Sequence, residues 1–214
     1  MNTSTPALRA PDGYELASLL SVLRQQRHPS LARFPDDRAA LEFLLDDCCI
    51  AVFERFLVDE DGDRAAQLLM AMDGGPQVIA SARLDPGGSV WQLSYTTLGD
   101  FLPYEELSPV VSKLPQRPGL SHAGPRAPDE DDLLDLLRMF RQADEPFLMQ
   151  ALPNDLARLA YLRDDARIAI FDAYRGGGYT GPLALMLWPA APRVLTAAIR
   201  SAGRWRYAGG ETFD

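Results

Sequence analysis

The sequence is poor in the residue types that most often carry chemistry or membrane contact. It holds two cysteines, two histidines and a single lysine, Lys113, in 214 residues. The cysteines, Cys48 and Cys49, are adjacent. Neighbouring cysteines rarely bridge each other, so a disulfide scaffold is excluded and a reducing compartment is expected. No apolar run approaches the roughly 18 residues that span a bilayer. The opening residues MNTSTPALRAPDGY have no basic stretch followed by an apolar one, so no secretory signal is expected. Basic runs are missing too. Thirty acids against twenty-one bases give a net charge of -9, which repels nucleic acid and anionic lipid. These absences predict a cytoplasmic chain with no nucleic-acid and no membrane partner.

What is present is an ordinary globular composition, 47% hydrophobic and 24% charged, enough for one large domain or two small ones. The chain also resembles itself. Phe34 to Phe56 (FPDDRAALEFLLDDCCIAVFERF) lies over Leu152 to Tyr174 (LPNDLARLAYLRDDARIAIFDAY) at a shift of 118, with ten of 23 positions identical, among them the paired acids Asp46-Asp47 and Asp164-Asp165. Upstream, LLSVLRQ (Leu19 to Gln25) matches LLRMFRQ (Leu136 to Gln142) at a shift of 117. Downstream, Leu68 to Ala82 lies over Ala184 to Ala198 at 116, and Trp91 falls close to Trp205. Single-residue drifts of this kind are what loop insertions leave in a tandem duplication. The first copy begins near Gly13. Between the copies, from about Leu102 to Glu130, six prolines and no helical or strand period mark a linker. The expected division is repeat one over 1–101, linker over 102–130 and repeat two over 131–214.

Each repeat predicts the same elements. Leu16, Leu19, Leu20 and Leu23 make a helical stripe over Tyr14 to Gln26, echoed by Leu133, Leu136, Leu137 and Phe140. A second helix opens at Asp36 or Asn154, both capping residues, with Ala40, Leu41, Leu44 and Leu45, or Leu159 and Leu162, as its apolar face. Asp46-Asp47 and Asp164-Asp165 would oppose the helix dipole and therefore belong to the exit turn. Next come β-branched and aromatic runs at Ile50 to Leu57 and Arg167 to Tyr174, two runs meeting at DGGP or PAAP, and last strands at Ser89 to Thr97 and Arg204 to Ala208. These strands are apolar on both faces, so the second face of each sheet needs a cover, from the other repeat or a partner. The expected fold is α+β: helix-helix followed by four mostly antiparallel strands, twice, in a pseudo-two-fold arrangement equivalent to a fused homodimer.

No motif supplies a catalytic constellation. The loop Val58-Asp59-Glu60-Asp61-Gly62-Asp63 misplaces the glycine of a calcium loop and has Met70 where a bidentate Glu belongs. Gly176 to Gly181 lacks the lysine and the helix of a phosphate cradle. Cys48 or Cys49 with His28 would be a nucleophile and base pairing, as would the adjacent Ser121-His122, and for the cysteines a small buried residue is the plainer reading. His122, in the linker, has no rigid partner. No catalytic residue, metal or cofactor is expected. Candidate partner-binding residues are the acid pairs Asp46, Asp47, Asp164 and Asp165, and the strand aromatics Trp91, Tyr95, Trp205 and Tyr207. They predict a non-enzymatic acidic module that docks a basic protein partner, of the immunity-protein, secretion-chaperone or inhibitor type. The alternatives are a small-ligand binder or enzyme with its pocket between the repeats, where Arg55 opposite Ala173 and Arg83 opposite Ile199 break the symmetry, and a structural homodimer subunit using an open sheet face.

Overall fold

The computed structural model describes residues 7–28, 31–58, 64–72, 78–84, 91–97, 124–143, 152–176, 179–188 and 193–213. The linker core over 98–123, the acidic loop over 59–63 and His122 lie outside them.

Among the described residues four helices open at capping side chains, two of which, Asp36 and Asn154, are the ones the sequence predicts. Helix α1 (Gly13–Gln25) opens at Asp12, whose side chain accepts from the Glu15 N–H while the Glu15 carboxylate accepts from the Asp12 N–H. Helix α3 (Glu130–Gln142) repeats that reciprocal box with Asp129 and Asp132. Asp36 caps α2 (Asp37–Asp46) by accepting from the Ala39 N–H, and Asn154 caps α4 (Asp155–Asp164) by accepting from the Ala157 N–H. Each such cap is worth about 1 kcal/mol. Asp46 and Asp164 are the last helical residues, and Asp47 and Asp165 are the C-caps. The α2 stripe differs from its prediction in one place. Phe43 is buried and Leu45 is 62% exposed, because Ala40, Phe43 and Leu44 share one helical face and Leu45 lies a further 100° around.

The strands form two antiparallel sheets. Sheet one has the order β1 (Leu8–Arg9), β2 (Cys49–Val58), β3 (Arg64–Met72), β4 (Val78–Leu84), β5 (Trp91–Thr97). Sheet two has the order β6 (Arg167–Gly176), β7 (Tyr179–Trp188), β8 (Arg193–Ser201), β9 (Arg204–Phe213). The ladders correspond over much of their length, although β8–β9 shifts register between Ala197 and Ala198 where β4–β5 does not. Gln67 faces Arg83 as Leu183 faces Ile199, and Leu84 faces Trp91 as Arg200 faces Trp205. Both first hairpins shift register just after the matched phenylalanines, Phe53 and Phe171.

Burial explains why simple in-and-out alternation is missing. On sheet one, Ile50, Val52, Leu68 and Met70 face outward under α1 and α2, while Cys49, Ala51, Phe53, Leu69 and Ala71 face inward. On sheet two, Ile168, Ile170, Ala184 and Met186 face outward under α3 and α4, while Ala169, Phe171, Leu183, Leu185 and Leu187 face inward. The two inward sets make one core. Equivalent strands meet across it, β2 with β6, β3 with β7 and β4 with β8. The layers therefore run helix, sheet, sheet, helix, and each sheet's second face is covered by the other sheet of the same chain. Among the described residues no helix is long and apolar enough to cross a membrane.

Candidate functional site

The first residues of each half build the same polar device. The Arg9 guanidinium donates twice to Glu15, at 2.7 Å each, and through Nε to Glu54 at 2.6 Å. Arg126 donates to Asp132 at 2.6 Å and to Asp172 at 3.1 Å. Leu8 and Arg9 pair with Phe53 and Val52, while Arg126 makes an isolated bridge to Ile170. The guanidinium thus ties the helix cap to the first long strand in both halves. The sequence signal is the tetrapeptide RAPD at Arg9–Asp12 and Arg126–Asp129, at the same shift of 117 as the helices. A reading that starts the first copy at Gly13 and runs the linker to Glu130 passes over it. Asp132 is 1% exposed. Burial pulls its carboxyl up, but Arg126, the Trp205 indole N–H and the Asp129 N–H outweigh that and hold it below the ordinary carboxylate range.

The predicted aromatics separate. Trp205 is 3% exposed and belongs to the core under α3, where its indole N–H donates to Asp132 at 3.1 Å and its backbone N–H to Asp135 at 2.6 Å. Arg200 lies over the ring, 5.6 Å from its centroid. Tyr207, two residues along the strand, is 37% exposed. Trp91 and Tyr95 are on β5, and their side chains lie outside the described ones.

The acid pairs separate as well. All four carboxylates are exposed. In the second half Arg163, in the last turn of α4, donates to Asp164 at 2.8 and 2.9 Å. The matching position in the first half is Leu45, and the last turn of α2 has no base. Among the described residues Asp46 and Asp47 have no ion-pair partner. Two carboxylates therefore stand at the negative end of a helix dipole, an unfavourable placement of about 0.3–1 kcal/mol each.

Cys48 and Cys49 are buried thiols. Burial pushes the Cys49 thiol up to about 12, so it carries no thiolate near neutrality. His28 is also buried, and desolvation lowers its pKa. No group of three His, Cys, Asp or Glu among the described residues is placed to hold a metal ion. Between the sheets, apolar side chains fill the described layer. Gln67 is a polar exception on the inward face, 6% exposed with no partner for its Oε1 among the described residues, and its cross-strand neighbour is Arg83, whose side chain is outside the described ones.

One concave site is described. A cleft of about 540 Å³ lies between the C-terminal half of α3 and the β8–β9 hairpin, lined by Asp135, Arg138, Arg204, Trp205, Arg206 and Tyr207, with the hairpin turn at one end. Sequence periodicity does not reveal it, since it joins a helix face to strand residues some 70 positions away. Comparison with protein-family models, curated proteins and solved structures returned no match.

Proposed function

We propose that the chain is a non-enzymatic, cytoplasmic binding module, built on an internal duplication with pseudo-two-fold arrangement, that docks a basic protein partner through the exit of α2. The repeated element order, the matching ladders, the twice-built arginine device and the pairing of equivalent strands across the core support the duplication. With both sheets spent on each other and on their helices, recognition falls to the outer surface, where the halves differ.

The observation that carries the docking site is the triplet Leu45-Asp46-Asp47. Leu45 is 62% exposed and flanked by two exposed carboxylates without a counter-ion among the described residues. In its equivalent, Arg163-Asp164-Asp165, a base replaces the leucine and pairs with one of the two carboxylates, Asp164. An apolar anchor inside an acidic rim is a fit for a partner that offers a small apolar pocket ringed by Lys or Arg, with charge steering the encounter and Leu45 supplying contact area. An immunity protein, a secretion chaperone or an inhibitor would each use such a surface. The test is affinity capture at low and moderate salt with wild type and with Asp46→Asn/Asp47→Asn. A stoichiometric basic partner that weakens with salt and with the double substitution supports the reading. Partners insensitive to both overturn it.

A further inference from the structure

The cleft beside α3 carries the opposite charge from the chain as a whole. Arg138, Arg204 and Arg206 line it against one carboxylate, Asp135, which already accepts the Trp205 N–H. All three arginines are exposed, and none has an ion-pair partner among the described residues. In the same half, Arg126, Arg141, Arg158, Arg163 and Arg200 each contact a carboxylate. The cleft thus gathers arginines that no described carboxylate neutralises.

The duplication supplies a second, independent observation. The position equivalent to Arg138 is Ser21, at the shift of 117 that relates the helices. The ladders place Gln92 opposite Arg83 as they place Arg206 opposite Ile199, and Leu93 opposite Ala82 as Tyr207 opposite Ala198. Val90 precedes Trp91 where Arg204 precedes Trp205. None of the three arginines has a basic counterpart, although the ladder pairing around them is shared. A structural need would be common to both halves; a ligand site is needed once.

We propose that this cleft binds a compact multivalent anion, a phosphate or carboxylate compound of about nucleotide size. Guanidinium forks hold such oxyanions with paired, charge-assisted hydrogen bonds. A volume of about 540 Å³ lies within the range of small-ligand sites. Four consecutive residues of β9, the edge strand of sheet two, line the cleft. Along that strand Arg204 and Arg206 share one face and Trp205 and Tyr207 the other, so the proposed site follows the strand margin, with Tyr207 as a half-open ring beside it. This site is separate from the α2 exit and stands or falls without it.

The test is calorimetric titration of the intact chain at low ionic strength with tripolyphosphate, ATP and citrate, and in a separate arm with a hexaglutamate peptide. At least one of the three small anions binds one-to-one. Arg138→Gln, Arg204→Gln and Arg206→Gln each weaken it about tenfold or more, the loss of one charge-assisted contact. Arg38→Gln, which removes an equal charge from α2, leaves it unchanged. These arginines are exposed, so their removal leaves the melting temperature close to wild type, and melting curves on the same samples confirm that the fold persists. No small-anion binding tighter than roughly 1 mM would overturn the proposal. Binding that ignores the three cleft substitutions would overturn it as well, as adventitious, and binding of the hexaglutamate peptide alone would overturn it in favour of a protein surface.

Discussion

Replacing Arg126 with Met removes one guanidinium and keeps the bulk of the side chain. It leaves the Asp132 carboxylate, whose side chain is 2% exposed, with the Trp205 indole N–H, the Asp129 N–H and only the longer ion pair to Arg200 at 3.6 Å. Removing one partner of a fully buried pair costs about 3–5 kcal/mol. Arg126 is 35% exposed, and water that reaches it also softens its loss, so the expected cost is about 2–3 kcal/mol. For a chain of this length that lowers the melting temperature by about 5–10 °C. Arg9→Met should cost less, about 1–2 kcal/mol, because Glu15 at 11% and Glu54 at 43% side-chain exposure can turn to water. Urea unfolding followed by tryptophan fluorescence gives both values. In a double-mutant cycle with Asp132→Asn, the Arg126→Met effect should shrink by about 1 kcal/mol or more. An Arg126→Met cost below about 0.5 kcal/mol, or no coupling in the cycle, would refute the claim that this arginine holds the cap of α3 to β6.

Acidification should destabilise the chain in two steps. His28 has a folded pKa lowered by burial, so its contribution is intact above the unfolded value near 6.5 and is lost as pH falls below it. Asp132 is also lowered, and its contribution persists until pH falls through the unfolded carboxylate range and on through its folded value. Urea midpoints from pH 8 to 3 should fall on both limbs, and His28→Gln should flatten the upper one. Cys48 and Cys49 should be silent to a thiol-reactive chromophore in native buffer and both react in denaturant, and fast native labelling would contradict the inward-facing Cys49. Leu185→Ala, at 0% exposure in the shared inner core, should cost about 3 kcal/mol and lower a single cooperative transition, whereas two separated transitions would show that the halves do not share a core. Thr196→Val should be neutral or stabilising by up to about 1 kcal/mol, because the Thr196 hydroxyl is fully buried without a partner among the described residues.

Local signals were legible in the sequence to the extent that they were written in neighbouring residues. Asp36 and Asn154 announce helix starts, the leucine stripes give α1 and α3, and apolar residues on both strand faces require a cover. Repetition told more than periodicity, because a matched pair of segments constrains both. What stayed hidden depends on distant partners. Arg9 and Arg126 look like coil residues until Glu54 and Asp172 arrive from a strand, and the short RAPD repeat is too polar to enter a hydrophobic pattern. Leu45 reads as a core position because the α2 stripe is wide enough to admit it, and Phe43 takes that place through its larger apolar area. Trp205 reads equally well as an anchor or as core, and Asp132 and Asp135, from a helix 70 residues earlier, decide for core by taking both of its N–H groups. The α3 cleft has no sequence period at all, and its arginines stand out only when each is set against Ser21, Val90 or Gln92.

The measurement that tests the docking proposal most directly is site-specific photo-crosslinking from position 45 in native lysate, with position 163 as the matched control in the second half. The account predicts one dominant adduct from position 45, with a basic protein, that fades at moderate salt and in the Asp46→Asn/Asp47→Asn background, and no such adduct from position 163. Identical patterns from the two positions, indifferent to salt and to the aspartates, would contradict it.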